Sequence, residues 1–375
     1  MTNCVALILA GGRGKRLGSL TIHTSKPAVH FGVDKRLIDY ALQNCMDSGI
    51  ITTGVISQYY SDDLHKYINS KYKNSGLYML PSYLTGKLYL GTADAIYKNI
   101  RFVDRFSPDN VLILSGSQIY HMDYKKLLAE HQQTRAAATV AYQWVGGKKD
   151  TNTAPMGVYL FNWEALKNYL IMDAVDMRSQ HNIEKSILPL MRQSGEIMHT
   201  YEFNGYWRDV KTVENLWEAN MELLDYQSSD GYRHDADYYI SGDINYFHNK
   251  PAVHHSAMFA RCSISGMVEH SILGDSVMVM PGSEVVNSII MPDVYIGNNV
   301  RIYNAIIGAG AVIMENTAIG IEYGTDFFLE PALCTGGVSL VEPGLCVPKG
   351  LGVLGGSNID SALLAEWVSI HQISA

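Results

Sequence analysis

Up to about position 225 the chain alternates short apolar runs with stretches of helical apolar spacing. The runs Val5–Ala10, Thr53–Ser57, Val111–Leu114, Ala138–Gln143 and Val158–Phe161 predict strands. In Arg36–Asp47 the apolar residues Leu37, Ile38, Ala41, Leu42 and Cys45 fall on one helical face. Strands alternating with helices predict an α/β fold with a mostly parallel, helix-covered, Rossmann-like sheet. From Val253 the period changes: Val294, Val300, Ile306, Val312 and Ala318 recur every six residues, with Gly297, Asn298, Asn299, Gly308 and Gly310 nearby. Neither a helix stripe nor strand alternation has that period. A hexapeptide parallel β-helix does, each side of a triangular coil carrying one inward aliphatic. The expected organisation is an α/β domain over 1–225, a polar, tyrosine-rich connector over 226–250, and a β-helix over 251–375. In the last of these, Ser361–Gln372 is a capping helix.

Composition narrows the class. The 375 residues are 47% hydrophobic, enough for two full cores. A formal charge of −8 argues against a nucleic-acid partner or an anionic membrane surface, so any phosphate site must be locally basic. No apolar run reaches the ~20 residues of a membrane span, and Met1-Thr2-Asn3-Cys4 has none of the order of a signal peptide. Five scattered cysteines without metal-ligand spacing point to reduced thiols in a cytoplasmic protein.

The candidate chemistry begins where the first strand ends. Gly11, Gly12 and Gly14 leave no Cβ between backbone N–H groups and an anion, and Arg13, Lys15 and Arg16 add charge. Ser115-Gly116-Ser117 falls at the end of another predicted strand, where phosphate chemistry wants a carboxylate for Mg²⁺. In such sheets ligands sit beyond the carboxyl ends of the strands.

Gly11–Leu17, Lys26–Gly32, Arg36–Tyr40, Ser57–Tyr59, Gly91–Ala95, Gly157–Phe161 and Tyr206–Val210 together resemble the sugar-1-phosphate nucleotidylyltransferases. The match is closest to the bacterial glucose-1-phosphate adenylyltransferases, or ADP-glucose pyrophosphorylases. The resemblance covers nearly the whole chain and implies a left hand for the β-helix. It implies a reaction of ATP with glucose 1-phosphate that gives ADP-glucose and pyrophosphate for glycogen synthesis, Mg²⁺ as cofactor, and an allosteric tetramer. Carried over to this sequence, Gly11, Gly12, Gly14 and Arg16 match the triphosphate loop. Gln58, Gly91, Thr92 and Asp94 match the nucleotide pocket, Asp209 one metal aspartate, and Lys26 a position tied to activators.

The sugar-phosphate half departs from the pattern. Ser117 stands at the other metal aspartate and Gln118 at the histidine after it. The Glu-Lys-Pro segment has no counterpart. Pro155 replaces a serine, Asn182 a sugar-binding aspartate and Lys211 a glycine, while Trp207 stands in the intact Trp207-Arg208-Asp209. Lys148 or Lys149 could replace the missing lysine, although two lysines beside Gly146-Gly147 more often form a solvated loop.

The sequence thus predicts a family subunit that takes ATP or a related nucleotide, with weak catalysis and a regulatory role. It would work in a homo- or hetero-tetramer with a catalytic subunit and answer to a sugar-phosphate effector. The alternative is a fully active enzyme with a rearranged sugar site. His254, His255 and His270 fall on the hexapeptide region. Acyltransferases of that architecture use a histidine base there, but turn histidines on a structural coil are the plainer reading.

Overall fold

The computed structural model describes residues 3–73, 75–86, 88–144, 153–228, 244–250, 252–321 and 337–372. It divides into two compact units. One comprises 1–13, 24–28 and 37–209; the other comprises 14–23, 29–36 and 210–375.

In chain order the strands of the first part of the chain are β1 (Cys4–Ala10), β2 (His30–Phe31), β3 (Lys35–Arg36), β4 (Thr52–Ser57), β5 (Leu77–Pro81), β6 (Asn110–Ser115), β7 (Gln118–Tyr120), β8 (Ala138–Trp144), β9 (Thr153–Asn162), β10 (Met198–Glu202) and β11 (Trp207–Asp209). The helices are α1 (Ile38–Asp47), α2 (Ser61–Lys71), α3 (Thr92–Tyr97), α4 (Ile100–Asp104), α5 (Tyr124–Thr134), α6 (Trp163–Val175), α7 (Leu188–Gln193) and α8 (Val213–Ser228).

The first unit is built on a seven-stranded sheet ordered β10-β8-β9-β6-β1-β4-β5. It is parallel except at β9, which runs antiparallel to both neighbours. Alternation on β1 explains the two cores. Ala6, Ile8 and Ala10 pack on one face with Ile38, Ala41, Leu42 and Leu127, while Val5 and Leu7 pack on the other with Ile96, Val103 and Leu166. A strand buried on both faces reads as an unbroken apolar run. Each fully buried aliphatic of this kind contributes about 1.5–3 kcal/mol. Buried Leu37 precedes α1, and the predicted apolar face of that helix is its buried face.

The second unit is a parallel β-helix entered by the antiparallel pair β12 (Ile244–Lys250) and β13 (Val253–Phe259). Of the expected connector, 229–243 lie outside the described residues; α8 runs to Ser228 and β12 begins at Ile244. Three parallel ladders form the sides. One aligns Ile264, Val279, Ile296, Ile313 and Val347. The second aligns Val268, Val285, Ile302, Ile319 and Val353. The third aligns Leu273, Ile290, Ile307, Val341 and Ile359. All except partly buried Ile264 are buried members of one core. A final helix, α9, spans Ser361–Gln372.

The predicted six-residue series follows this core only part of the way. Val294 and Val300 belong to it, but Val312 and Ala318 are half-buried, and their neighbours Ile313 and Ile319 hold the inward positions. The coil repeats every 17 residues, as in Ile272, Ile289 and Ile306, because one side of the triangle, Ile302 to Ile307, is one residue shorter than the others. A strict period of six slips there by one residue and crosses to the opposite face of the strand.

Candidate active site

The first unit places Gly11 and Gly12, Gln58, and Ser117 after the carboxyl ends of β1, β4 and β6. Gly11 and Gly12 follow β1. A Cβ on Gly11 would touch the Gln58 Cβ at 3.4 Å, whereas one on Gly12 would meet nothing within 4 Å. Gly12 is the open position where a phosphate can approach the backbone. The Arg13 guanidinium lies 4.5 Å from the centre of the Tyr59 ring, which follows β4. Gly14 is left-handed at φ 74 and precedes a 3₁₀ segment, Lys15–Thr21, that belongs to the second unit. Lys15 and Arg16 are exposed on its first turn.

Three pocket candidates hold loops rather than display free polar atoms. Gln58 Oε1 accepts from the Tyr89 amide at 2.8 Å. Asp94 Oδ2, buried at the start of α3, accepts from the Leu90 amide at 2.8 Å and from Lys98 Nζ at 2.7 Å. Thr92 Oγ1 accepts from the Ile183 amide at 3.0 Å, and the Ala93 amide donates to the His181 carbonyl at 2.8 Å. Gly91 is extended, so its requirement is space: a Cβ there would lie 2.2 Å from the His181 carbonyl oxygen. The Gly91–Asp94 segment is therefore clamped to residues 181–183, a link across ninety residues that no local pattern could reveal.

The residues expected at the metal position lie on or beside a short antiparallel pair, β7 with β11, which sets Gln118 opposite Asp209 and Tyr120 opposite Trp207. Ser117, one residue before β7, is buried, with its hydroxyl 3.5 Å from that of Ser115. Gly116 is tied to β1 through its amide and the Leu9 carbonyl, 3.1 Å. Lys26 Nζ lies 3.9 Å from Asp209 Oδ1, with both side chains mostly buried. This ion pair was missed in the sequence, where Lys26 suggested an effector contact and nothing marked it as a neighbour of Asp209. The aspartate expected just before β7 is thus a serine, and a charge partner of Asp209 is an ammonium. Mg²⁺ takes hard oxygen ligands in a tight octahedron, so this donor set is a poor fit for it.

Beside this position Tyr159 on β9 donates to Glu184. Burial pushes the Tyr159 phenol up, and the charges of Glu184 and Asp209 add to the shift, so the group stays a protonated donor. Gln118 Oε1 is buried without a hydrogen bond, as is the Trp207 indole N–H.

The other sugar-phosphate candidates lie on separate elements. Pro155 is exposed on β9 opposite Tyr142 of β8. Asn182 caps a π-helical turn, Ile183–Ile187, its Oδ1 accepting from the Glu184 and Lys185 amides at 2.9 and 3.1 Å. Single π turns inside helices often mark functional sites. Lys148 and Lys149 lie outside the described residues.

Among the described residues no helix is long and apolar enough to cross a membrane. Cys4, Cys45, Cys262 and Cys346 are free thiols, and burial raises the Cys4 thiol to about 12.

Comparison with known proteins places these features. Residues 5–150 and 146–226 match the nucleotidyl transferase family. Residues 245–341 match the GlmU-like, C-terminal hexapeptide family, in keeping with a left-handed β-helix. A glucose-1-phosphate adenylyltransferase of Bacillus thuringiensis is 39% identical, the match covering 86% of this chain and 96% of the relative. One from Acetivibrio thermocellus is 36% identical over 96% of this chain and 94% of its own.

Proposed function

The chain belongs to the glucose-1-phosphate adenylyltransferase family of nucleotidyl transferases, and from that membership we propose that it is a nucleotide-binding subunit of low intrinsic turnover that tunes a catalytic partner chain. In this reading Gly11, Gly12, Gly14 and Arg16 serve the triphosphate of ATP or a related nucleotide. Gln58 and the Gly91–Asp94 segment shape the wall of the nucleotide pocket.

One observation supports the proposal: Ser117 and Gln118 stand at the strand start paired with Asp209, where the family pattern has an aspartate and a histidine. Phosphoryl transfer depends on positioning and on neutralising the charge of the phosphates, and little covalent work falls to the protein. Loss of one well-placed stabilising group typically costs ~10²–10³ in rate. Here the metal carboxylate and the lysine anchor for the sugar phosphate are both absent from the family's positions. Asn182 has its oxygen engaged in a helix cap, and Pro155 lacks the hydroxyl it replaces. Mg²⁺ would enter as a companion of the nucleotide, with Asp209 as its carboxylate.

The proposal extends to assembly. The subunit would join a homo- or hetero-tetramer with a catalytic subunit, and a sugar phosphate is the class of effector it would answer to. The test is pyrophosphate release from ATP and glucose 1-phosphate with Mg²⁺, measured for the chain alone and mixed with a catalytic family subunit from the same organism. The expected result is negligible release alone and a changed rate or effector response in the mixture. Robust release by the isolated chain would establish the fully active alternative, and an unchanged partner would remove the regulatory role.

A further inference from the structure

One corner of the β-helix carries side chains that play no part in the site above. His255, His270, Asn287 and Asn304 all have left-handed backbones, with φ of 43, 43, 50 and 47°. They stack coil upon coil: the His270 amide donates to the His254 carbonyl, the Asn287 amide to Glu269, and the Asn304 amide to Val286. Asparagine is a common choice for that conformation, and it fills the two later corners. Histidine fills the two earlier ones, with its rings stacked 5.2 Å apart at 21°.

Both rings turn toward one carboxylate. Asp225, on the last turns of α8, places Oδ1 2.8 Å from His270 Nε2 and 3.1 Å from His255 Nε2. The three donor atoms lie within 4.8 Å of one another, and among the described residues no other group of three His, Cys, Asp or Glu side chains converges in this way. Helix α8 is fixed two turns earlier, where the Trp217 indole N–H donates to the Asn287 carbonyl at 2.7 Å. The carboxylate is therefore delivered by an anchored element of the same unit.

A second contact orients the His270 ring. Its Nδ1 is 2.7 Å from Asn287 Oδ1. Nδ1–H donates to that oxygen, so the neutral ring aims the Nε2 lone pair at the Asp225 carboxylate. Two facing acceptors repel unless a proton or a metal ion lies between them. A divalent ion shared by Oδ1 and the two Nε2 atoms satisfies all three donors with both rings neutral. Bonds of about 2.0–2.2 Å to such an ion set neighbouring donors about 3.0–3.5 Å apart, close to the separations seen here. A histidine ligand whose second nitrogen donates to a fixed oxygen is the usual supporting arrangement.

We propose that Asp225, His255 and His270 bind a transition-metal dication of the Zn²⁺ class, with Asn287 orienting His270 and water completing the coordination. Two imidazoles and one carboxylate suit such an ion and disfavour Mg²⁺. The side chains are 25–59% exposed, so the ion has a direct path from solvent. Its effect is to clip α8 onto the first coils of the β-helix.

The test uses the full-length, tag-free chain, stripped with chelator and titrated with Co²⁺ and then Zn²⁺. The expected result is one Co²⁺ per chain with a visible ligand-field spectrum, its displacement by Zn²⁺, and a higher melting temperature with Zn²⁺ but not with Mg²⁺. Asn287→Ala should weaken Zn²⁺ about 10–100-fold, as expected for a supporting residue. The pair His255→Gln and His270→Gln should abolish the Co²⁺ spectrum, and Asp225→Asn should weaken it, while circular dichroism confirms that each variant folds. No saturable binding of Co²⁺ or Zn²⁺ by the native chain, or unchanged binding by the folded double-histidine variant, would overturn the site.

Discussion

The Lys26 ammonium stands 3.9 Å from the Asp209 carboxylate, with both side chains mostly buried. A lysine partner gives that carboxylate a fixed positive charge, which can neither bridge two phosphate oxygens nor leave with the product. The pairing bears on how hard the activity would be to restore.

Ser117→Asp places a second carboxylate beside Asp209 across the β7–β11 pair. In an otherwise intact site such a group is worth ~10²–10³ in rate, yet here we expect a gain of less than about tenfold in pyrophosphate release, because the sugar-phosphate anchors are still missing. A gain of the full size would mean that the metal position alone limits the isolated chain.

Asn182 is a helix cap before it is anything else. Asn182→Ala should destabilise the protein by about 1 kcal/mol, through loss of the acceptor for the Glu184 and Lys185 amides. Asn182→Asp keeps the acceptor and should restore that stability in urea unfolding. If both variants match the native midpoint, the cap contributes nothing.

Gly91 has a carbonyl where a side chain would begin. Gly91→Ala should cost about 1–3 kcal/mol as overpacking, and should loosen the 90–94 segment from residues 181–183. Hydrogen exchange of the Ala93 amide, bonded to the His181 carbonyl, reports that loosening directly.

Acid should weaken the fold through His131. The ring is buried on α5 against the Thr139 hydroxyl, and burial, with the nearby charge of His199, lowers its pKa from 6.5 to about 4. The unfolded chain takes up this proton near 6.5 and the folded chain only near 4, so the unfolded state gains protons across that window. The contribution is complete above about 6.5 and is lost progressively as the pH falls to about 4. His65, also lowered by burial, acts in the same direction. The denaturant midpoint should drop across this range, and His131→Gln should make the drop shallower.

Much of the fold was legible because its signals are local. The apolar run at Val5–Ala10 and the helical face at Leu37–Cys45 are each contained in a dozen residues. The hexapeptide period was legible too, but its phase was lost after Ile302, because the short third side leaves no mark on the neighbouring residues. The site divides in the same way. The glycines after β1 and the serine after β6 announce themselves by following strands. The clamp between Gly91 and His181, the pairing of Gln118 with Asp209, and the approach of Lys26 join residues ninety or more apart, and only the folded sheet brings them together. Asp225 was hidden for the same reason: a helix and two coil corners had to be in place before one oxygen could face two imidazoles.

The short side of the coil has a consequence for how this half of the protein can change in length. Along the Ile272, Ile289 and Ile306 ladder the next paired residue is Leu340, with the alignment of the side intact. A single residue inserted within a side would turn every later aliphatic of that side outward and polar neighbours inward. Insertions and deletions among relatives should therefore gather at the corners and come as complete detours, never as one-residue adjustments along a rung.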